Sequence, residues 1–299
     1  MKEKTLRFSV IVPAYNAQST LPGLLDSLSH QGYREDFEVI VVDDCSTDST
    51  SDVCRRSGCK VACCTKNSGP ARCRNLGAAQ ATGEFLIFTD SDCIVSSDWL
   101  QCFDRAIDSG DSAVIMGKLV LLPSTVLGEA ISALGFPAGG SLGFEKIWRV
   151  SEEGYTHSLS SCNFAIKRDI FLKLGGFDES FPYAGGEDSF LAYQLLEAGY
   201  RIKYCPEIVA YHPARKSFTE FVRWQFRRGI SSLIFARKVT KKDEYISLRL
   251  WSTKNVIKYN LHDRKFPLIL LLLGLSFAAQ MSGFLFAKYK FGKARACEC

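Results

Sequence analysis

Short apolar runs alternate with segments of helical period through the first third of the chain, and this alternation constrains the fold more than any other feature. Phe8–Pro13 and Phe37–Val42 are aliphatic, β-branched runs, the first closed by proline and the second by Asp43 and Asp44. Between them, leucines at 21, 24, 25 and 28 recur with helical spacing across Thr20–Gln31. Ser46, Thr47 and Asp48 offer caps for a helix reaching about Ser57. Lys60–Cys64 predicts a third strand, Pro70–Gln80 a helix with proline near its start, Glu84–Thr89 a fourth strand and Asp98–Asp108 a further helix. Strands separated by helices in this way form a doubly wound α/β sheet with parallel strands and crossover helices.

After Val114–Met116 the pattern loosens. Residues 122–160 are rich in Gly, Ser and Pro and read as an acceptor loop or lid. Asn163–Ile166 then predicts a strand, and Arg168–Leu174 and Asp188–Ala198 predict helices. Arg201–Cys205 and Ile208–Tyr211 read as two short strands, the second ending at His212. Phe218–Val239 is basic and amphipathic, suited to an anionic leaflet or to core packing with a solvated basic face. Phe266–Ala287 carries no charge and is long enough to span a bilayer, or to form a re-entrant hairpin bent near Gly274 or Gly283. Lysines and arginines flank it on both sides, so they do not orient it. The expected division is a catalytic portion over 1–230, with a nucleotide half to about 118 and an acceptor half over 119–230. A basic juxtamembrane region over 231–265, the apolar segment 266–287 and a basic tail 288–299 follow.

The chain has 12 cysteines but no CxxC pair, which speaks against a zinc ribbon. The segment from Met1 leads into a strand without a signal-peptide apolar region, so the catalytic portion is expected in a reducing cytoplasm, at the inner membrane. Cys297 and Cys299 leave room for a metal or lipid site. The net charge of +5 is mild and no segment resembles a nucleic-acid arm, so no nucleic acid partner is expected.

Phe85–Thr89 ends in Asp90, Ser91 and Asp92. Burying a carboxylate is costly, so these acids belong where the strand emerges into a crevice. Their spacing lets both face one way, and two such acids can hold a hard divalent cation against a diphosphate. The alternative is an Asp/Ser turn. Pro13, Ala14, Tyr15 and Asn16 lie just past the first strand, where backbone groups can bond a base edge and Tyr15 can stack on it. Asn67, Gly69 and Arg74 sit where a helix opens, and its N–H groups and Arg74 suit a diphosphate.

Taken in order, Val12–Asn16, Val42–Asp48, Asn67–Asn75, Asp90–Asp92, Gly175–Glu179 and Gly186–Asp188 resemble the motifs of family 2 glycosyltransferases of membrane-associated bacterial type. The resemblance covers about residues 7 to 230. It implies a GT-A fold, a Rossmann-like mixed sheet flanked by helices, and an inverting transfer from a nucleotide-sugar. It also implies that Asp44 accepts a uracil N–H, that Asp90 and Asp92 form the DXD element at a Mn²⁺ or Mg²⁺ ion, and that His212 is a further ligand. Imidazole would favour Mn²⁺. Asp188 is then the general base, and Glu187 supports the acceptor. The chain departs from the family in three places. Cys45 stands where glycine is usual, and Gly229 follows Gln225–Arg228 where processive members carry tryptophan, which points to addition of one sugar. Gln18 replaces a common glutamate.

The expected partners are a nucleotide-sugar, uridine-linked, a lipid-linked or saccharide acceptor, and the membrane. A polyprenyl phosphate is the alternative acceptor. A nucleotidyltransferase would carry a Gly-rich loop after the first strand, and a dehydrogenase a GxGxxG; neither is present after Pro13. An inactive membrane scaffold would have no need of Asp90, Asp92, Asp188 and His212 together.

Overall fold

A computed structural model describes residues 6–110, 112–240 and 242–296. The leader reading of residues 1–5 and the Cys297/Cys299 site lie outside the described residues. In chain order the elements begin with β1 (Phe8–Ala14), α1 (Leu21–Ser29), β2 (Phe37–Asp43), α2 (Thr50–Ser57), β3 (Lys60–Cys63), α3 (Pro70–Gln80) and β4 (Phe85–Thr89). Next come β5 (Ile94–Val95), α4 (Trp99–Asp108), β6 (Val114–Leu121), α5 (Val126–Ser132), α6 (Phe144–Ile147), β7 (Tyr155–Thr156) and β8 (Asn163–Lys167). The chain continues through α7 (Arg168–Lys173), α8 (Glu187–Glu197), β9 (Ile202–His212), α9 (Phe218–Lys238), α10 (Lys242–Asn260) and α11 (Phe266–Ala296). They form two compact units. The first comprises the chain up to Val120 with Val150–Glu179 and Asp188–His212, the second Leu121–Arg149, Ser180–Glu187 and the chain from Pro213.

The first unit holds a nine-stranded sheet in the order β3-β2-β1-β4-β8-β6-β9-β5, with β7 on β9. β1 pairs in parallel with β2 and β4, and β2 with β3, as the alternation predicts. β8 enters antiparallel between β4 and β6, which makes the sheet mixed. β1 is buried from Phe8 to Val12, the burial of a central strand covered on both faces. The two strands expected around Pro206 are one, β9. Its burial alternation breaks at Pro206 and Glu207, both exposed, where a proline is tolerated.

Glu38 ties the sheet together. It is 6% exposed, yet it accepts bonds from Ser9 Oγ at 2.5 Å, Lys60 Nζ at 2.6 Å and Thr82 N and Oγ1 at 2.7 Å. Burial opposes its charge, but the bonds from Lys60, Ser9 and Thr82 together outweigh burial and pull its pKa down to about 2. Because the folded pKa lies below the ordinary 4.5, its stabilisation is full above that pH and is lost as pH falls toward 2. Glu38→Gln is expected to cost about 1–3 kcal/mol at neutral pH, and to flatten acid unfolding in that window. Urea melts from pH 2 to 7 read both effects; identical wild-type and variant pH profiles would refute the assignment.

Residues 122–149, which belong to the second unit, have more order than a loop. α5, α6 and a 3-10 turn at Gly140–Leu142 form there, and Ala130, Ile131, Leu134 and Ile147 share a core with Phe221, Val256, Ile269 and Leu272. α9 spends its apolar side inside this unit, with Phe221, Gln225, Gly229, Ile230 and Leu233 buried and Arg223, Arg227, Arg237 and Lys238 outside. The core-packed alternative therefore holds for α9, because its apolar face is already covered. The limit of the catalytic portion expected at residue 230 falls inside α9. α11 runs through Gly274 and Gly283 without a break, so no hairpin bend forms at either.

Candidate active site

The parallel register brings the carboxyl ends of β1, β2 and β4 to one edge of the sheet. Ala14 lies opposite Asp43, and Asp44 N continues the ladder to Ala14 O at 2.8 Å. Beyond β1, Pro13 is half-buried, Ala14 buried, and Tyr15 exposed at 51% with its ring available to a ligand face. Asn16 takes φ 49°, a left-handed conformation that asparagine tolerates, and its Oδ1 accepts Thr47 N at 2.8 Å. It thus braces the loop after β2. Cys45 also takes a left-handed φ of 64°, which explains physically why glycine suits that position. Gln18 Oε1 accepts Ser49 N at 3.0 Å, while Asp48 Oδ1 accepts the N–H of Thr50, the first residue of α2, at 3.0 Å.

Asp44 is 4% exposed and clamps the loop that opens α3. Its two oxygens accept Ser68 N at 2.7 Å and Gly69 N at 2.8 Å. Asn67 is exposed on that loop, and Gly69 caps α3 at φ 87°, where a Cβ would be strained. Arg74 is placed differently from its expected diphosphate contact. Only 2% exposed, it donates from Nη2 to Asp90 Oδ1 at 2.7 Å and lies over the Phe177 ring at 5.3 Å. Its one-turn offset into α3 points it at the end of β4 instead of the helix mouth. Asn75 exchanges bonds with the Phe177 backbone, Nδ2 to O and N to Oδ1, both at 2.8 Å. Two motifs far apart in sequence are therefore one piece of structure.

Ser91 and Asp92 form the turn after β4, half-buried. Asp92 Oδ1 stands 3.5 Å from His212 Nε2 at the end of β9. Asp92, Cys93 and His212 bring one ligand atom each within 4.8 Å of one another. Burial pushes the Cys93 thiol well above its ordinary range, and Cys162, Asp90 and Asp92 nearby add to this. Asp92 and His212 offer a carboxylate and an imidazole, donors that fit a divalent cation.

Asp188 is the second residue of α8, and its Oδ1 accepts Ser189 N at 2.7 Å. An acid there complements the helix dipole. Cys162, fully buried before β8, reports how the acids converge. Burial raises its pKa first, Asp90 and Asp188 raise it further, and Arg74 opposes them. Asp90, Arg74 and Asp188 thus all act on one thiol through their charges, a grouping that no sequence pattern signals. In the second unit, Glu187 is 1% exposed and accepts Gly185 N at 2.6 Å, fixing the turn before α8. Gly185 and Gly186 take φ 107° and 120°, closed to side chains.

The family model described as Glycosyl transferase family 2 matches residues 9–175. Poly(ribitol-phosphate) beta-N-acetylglucosaminyltransferase TarS of Staphylococcus aureus is 40% identical over 120 residues, 38% of this chain and 21% of TarS. The chain thus spans about a fifth of that relative's length. A TarS 1–349 structure in complex with UDP-GlcNAc is similar at TM-score 0.57 and 20% identity, covering 96% of this chain and 92% of that one. The pre-mycofactocin glycosyltransferase of Mycobacterium tuberculosis is 31% identical over 238 residues, 78% of this chain and 48% of its own. Mannosyltransferase PcManGT of Pyrobaculum calidifontis, in complex with GDP-Man and Mn²⁺, shares the fold at TM-score 0.58 and 23% identity, covering 97% of this chain and 80% of its own.

Proposed function

The chain belongs to glycosyl transferase family 2, and we propose that it moves one sugar from a uridine diphosphate sugar to a membrane-borne acceptor, with inversion and with a divalent cation. The acceptor is a lipid-linked or saccharide intermediate of cell-envelope glycan or glycolipid synthesis. The catalytic portion works on the cytoplasmic face of the inner membrane. The observation that carries this reading is the pair of acids at the end of β4, with Asp90 held by Arg74 at 2.7 Å and Asp92 3.5 Å from His212. The UDP-GlcNAc bound by TarS supports the donor class, and the Mn²⁺ bound by PcManGT supports the cation.

Each residue then has a task. Tyr15 stacks on the base, and Pro13, Ala14 and Asn16 shape its seat. Asp44 holds the Asn67–Gly69 loop at the base edge, and Arg74 holds Asp90 toward the ribose. Asp92 and His212 hold Mn²⁺ or Mg²⁺, which when bound neutralises charge on the departing diphosphate. Asp188 takes the acceptor hydroxyl proton as that oxygen attacks the anomeric carbon. The carbon–diphosphate bond breaks in the same displacement, so no sugar–enzyme bond is needed. Glu187 keeps the Gly185–Gly186 turn open to the acceptor.

Incubation with Mn²⁺ and a panel of nucleotide-sugars is expected to release nucleoside diphosphate from one uridine-linked donor, and excess chelator to stop it. Release of pyrophosphate would replace this reading with nucleotidyl transfer. No product from any donor with any lipid or saccharide acceptor would overturn it.

A further inference from the structure

We propose that α11 lies along the bilayer instead of crossing it, and that the exposed apolar faces of α10 and α11 bind an anionic leaflet. This deepens the membrane part of the proposed function, but binding itself does not depend on turnover. Length and composition permit a span: Phe266–Lys290 has a mean hydropathy of 2.0. Packing within the unit opposes one. Ile269, Leu272, Ser276, Gln280, Gly283 and Ala287 make the buried side of α11. A Cβ on Gly229 of α9 would lie 2.0 Å from Gln280 O, and one on Gly283 2.0 Å from Phe226 O, so the two backbones touch near their midpoints. At that level Gln280 also bonds Gln225 at 2.9 Å and Arg249 at 2.6 Å.

If α11 stood across the bilayer, this crossing would sit at mid-membrane. It would carry Arg223, Arg227 and Arg228 of α9, and Arg249 of α10, into the hydrocarbon. Charged side chains are rare there and costly. A helix lying in the interface keeps its polar side on the protein and its apolar side in the acyl region. Leu270, Leu271, Phe277, Met281 and Leu285 recur on the exposed side of α11, 41–60% accessible. On α10, Ile246, Leu250 and Ile257 are exposed, with Lys254 and Lys258 among them. Arg264, Lys288 and Lys290 stand exposed at the ends of the apolar run. Anionic headgroups match these cations. A second copy of the chain would oppose them with like charge.

The test is flotation of the full chain with phosphatidylglycerol-containing vesicles, against neutral phosphatidylcholine vesicles. The triple variant Leu271→Glu, Phe277→Glu, Leu285→Glu changes only exposed positions, and circular dichroism checks its fold. Binding to anionic vesicles is expected, with the partition coefficient of the variant lower by at least about tenfold. In cell membranes, a C-terminal tag is expected to be digested from the same side as the catalytic portion. A tag accessible only from the opposite side would overturn the in-plane arrangement in favour of a span. Equal partition of variant and wild type, or a lipid-indifferent dimer that the triple variant dissolves, would overturn the leaflet as occupant. Flotation without any sugar transfer would leave this inference standing while the transferase reading fell.

Discussion

Asp92→Asn is expected to lower kcat/KM for the nucleotide-sugar by about 10³-fold with the fold intact. The asparagine has the shape of the acid but lacks its charge, and it is the charge that a cation and a diphosphate need at this point. Asp92 is about a third exposed and faces the less exposed His212 at 3.5 Å, a partly solvated pair whose loss costs stability little. Structural collapse and chemical loss therefore separate cleanly: melting should shift by a degree or two at most, on the order of 0.5 kcal/mol. Raising Mn²⁺ should recover part of the rate, because the remaining imidazole still offers a donor. Steady-state kinetics across a Mn²⁺ series measure this. A variant within about tenfold of wild type at every Mn²⁺ concentration would remove Asp92 from the cation site.

The strands and helices of the nucleotide half are legible because they are local. β1, β2 and β4 read as apolar runs whose ends are marked by Pro13, Asp43–Asp44 and Asp90, and α3 reads from proline to glutamine at its true bounds. The insertion of β8 between β4 and β6 was not legible, because periodicity says nothing of strand direction. Pro206 misled for a sound reason. A proline removes a ladder donor and usually ends a strand, yet here it sits exposed where β9 loses its alternation.

The site was legible as residue types but not as contacts. Arg74 suggested a phosphate ligand from its place near a helix start, but one turn along α3 turns it inward to Asp90. Asp44 suggested a base contact, and its clamp on Ser68 and Gly69 depends on a loop whose path no pattern encodes. Asn163 carried no signal at all. It bonds Trp99 Nε1 at 2.9 Å and the carbonyls of Lys118 and Ile208 at 2.8 and 3.0 Å, tying β6, β8 and β9 beneath the site. A polar residue in a strand run is the only hint, and it is a weak one.

Asp188→Asn is expected to lower kcat by about 10³-fold while leaving the donor KM within about twofold of wild type. The asymmetry follows from the role. A base on the acceptor hydroxyl acts only in the transition state, whereas the proposed donor seat lies apart from it, in the loops after β1, β2 and β4. The amide retains the hydrogen-bonding shape at the start of α8, so the helix should still form. Donor binding, read by calorimetry with the nucleoside diphosphate and Mn²⁺, should be unchanged. The acceptor class decides the remainder. A hydroxyl acceptor must lose a proton as it attacks, so the variant should be nearly inert with it. An acceptor phosphate is ionised already and has no proton for Asp188 to take, so turnover with polyprenyl phosphate would survive the substitution. Full activity of the variant with a hydroxyl acceptor would exclude Asp188 as the base.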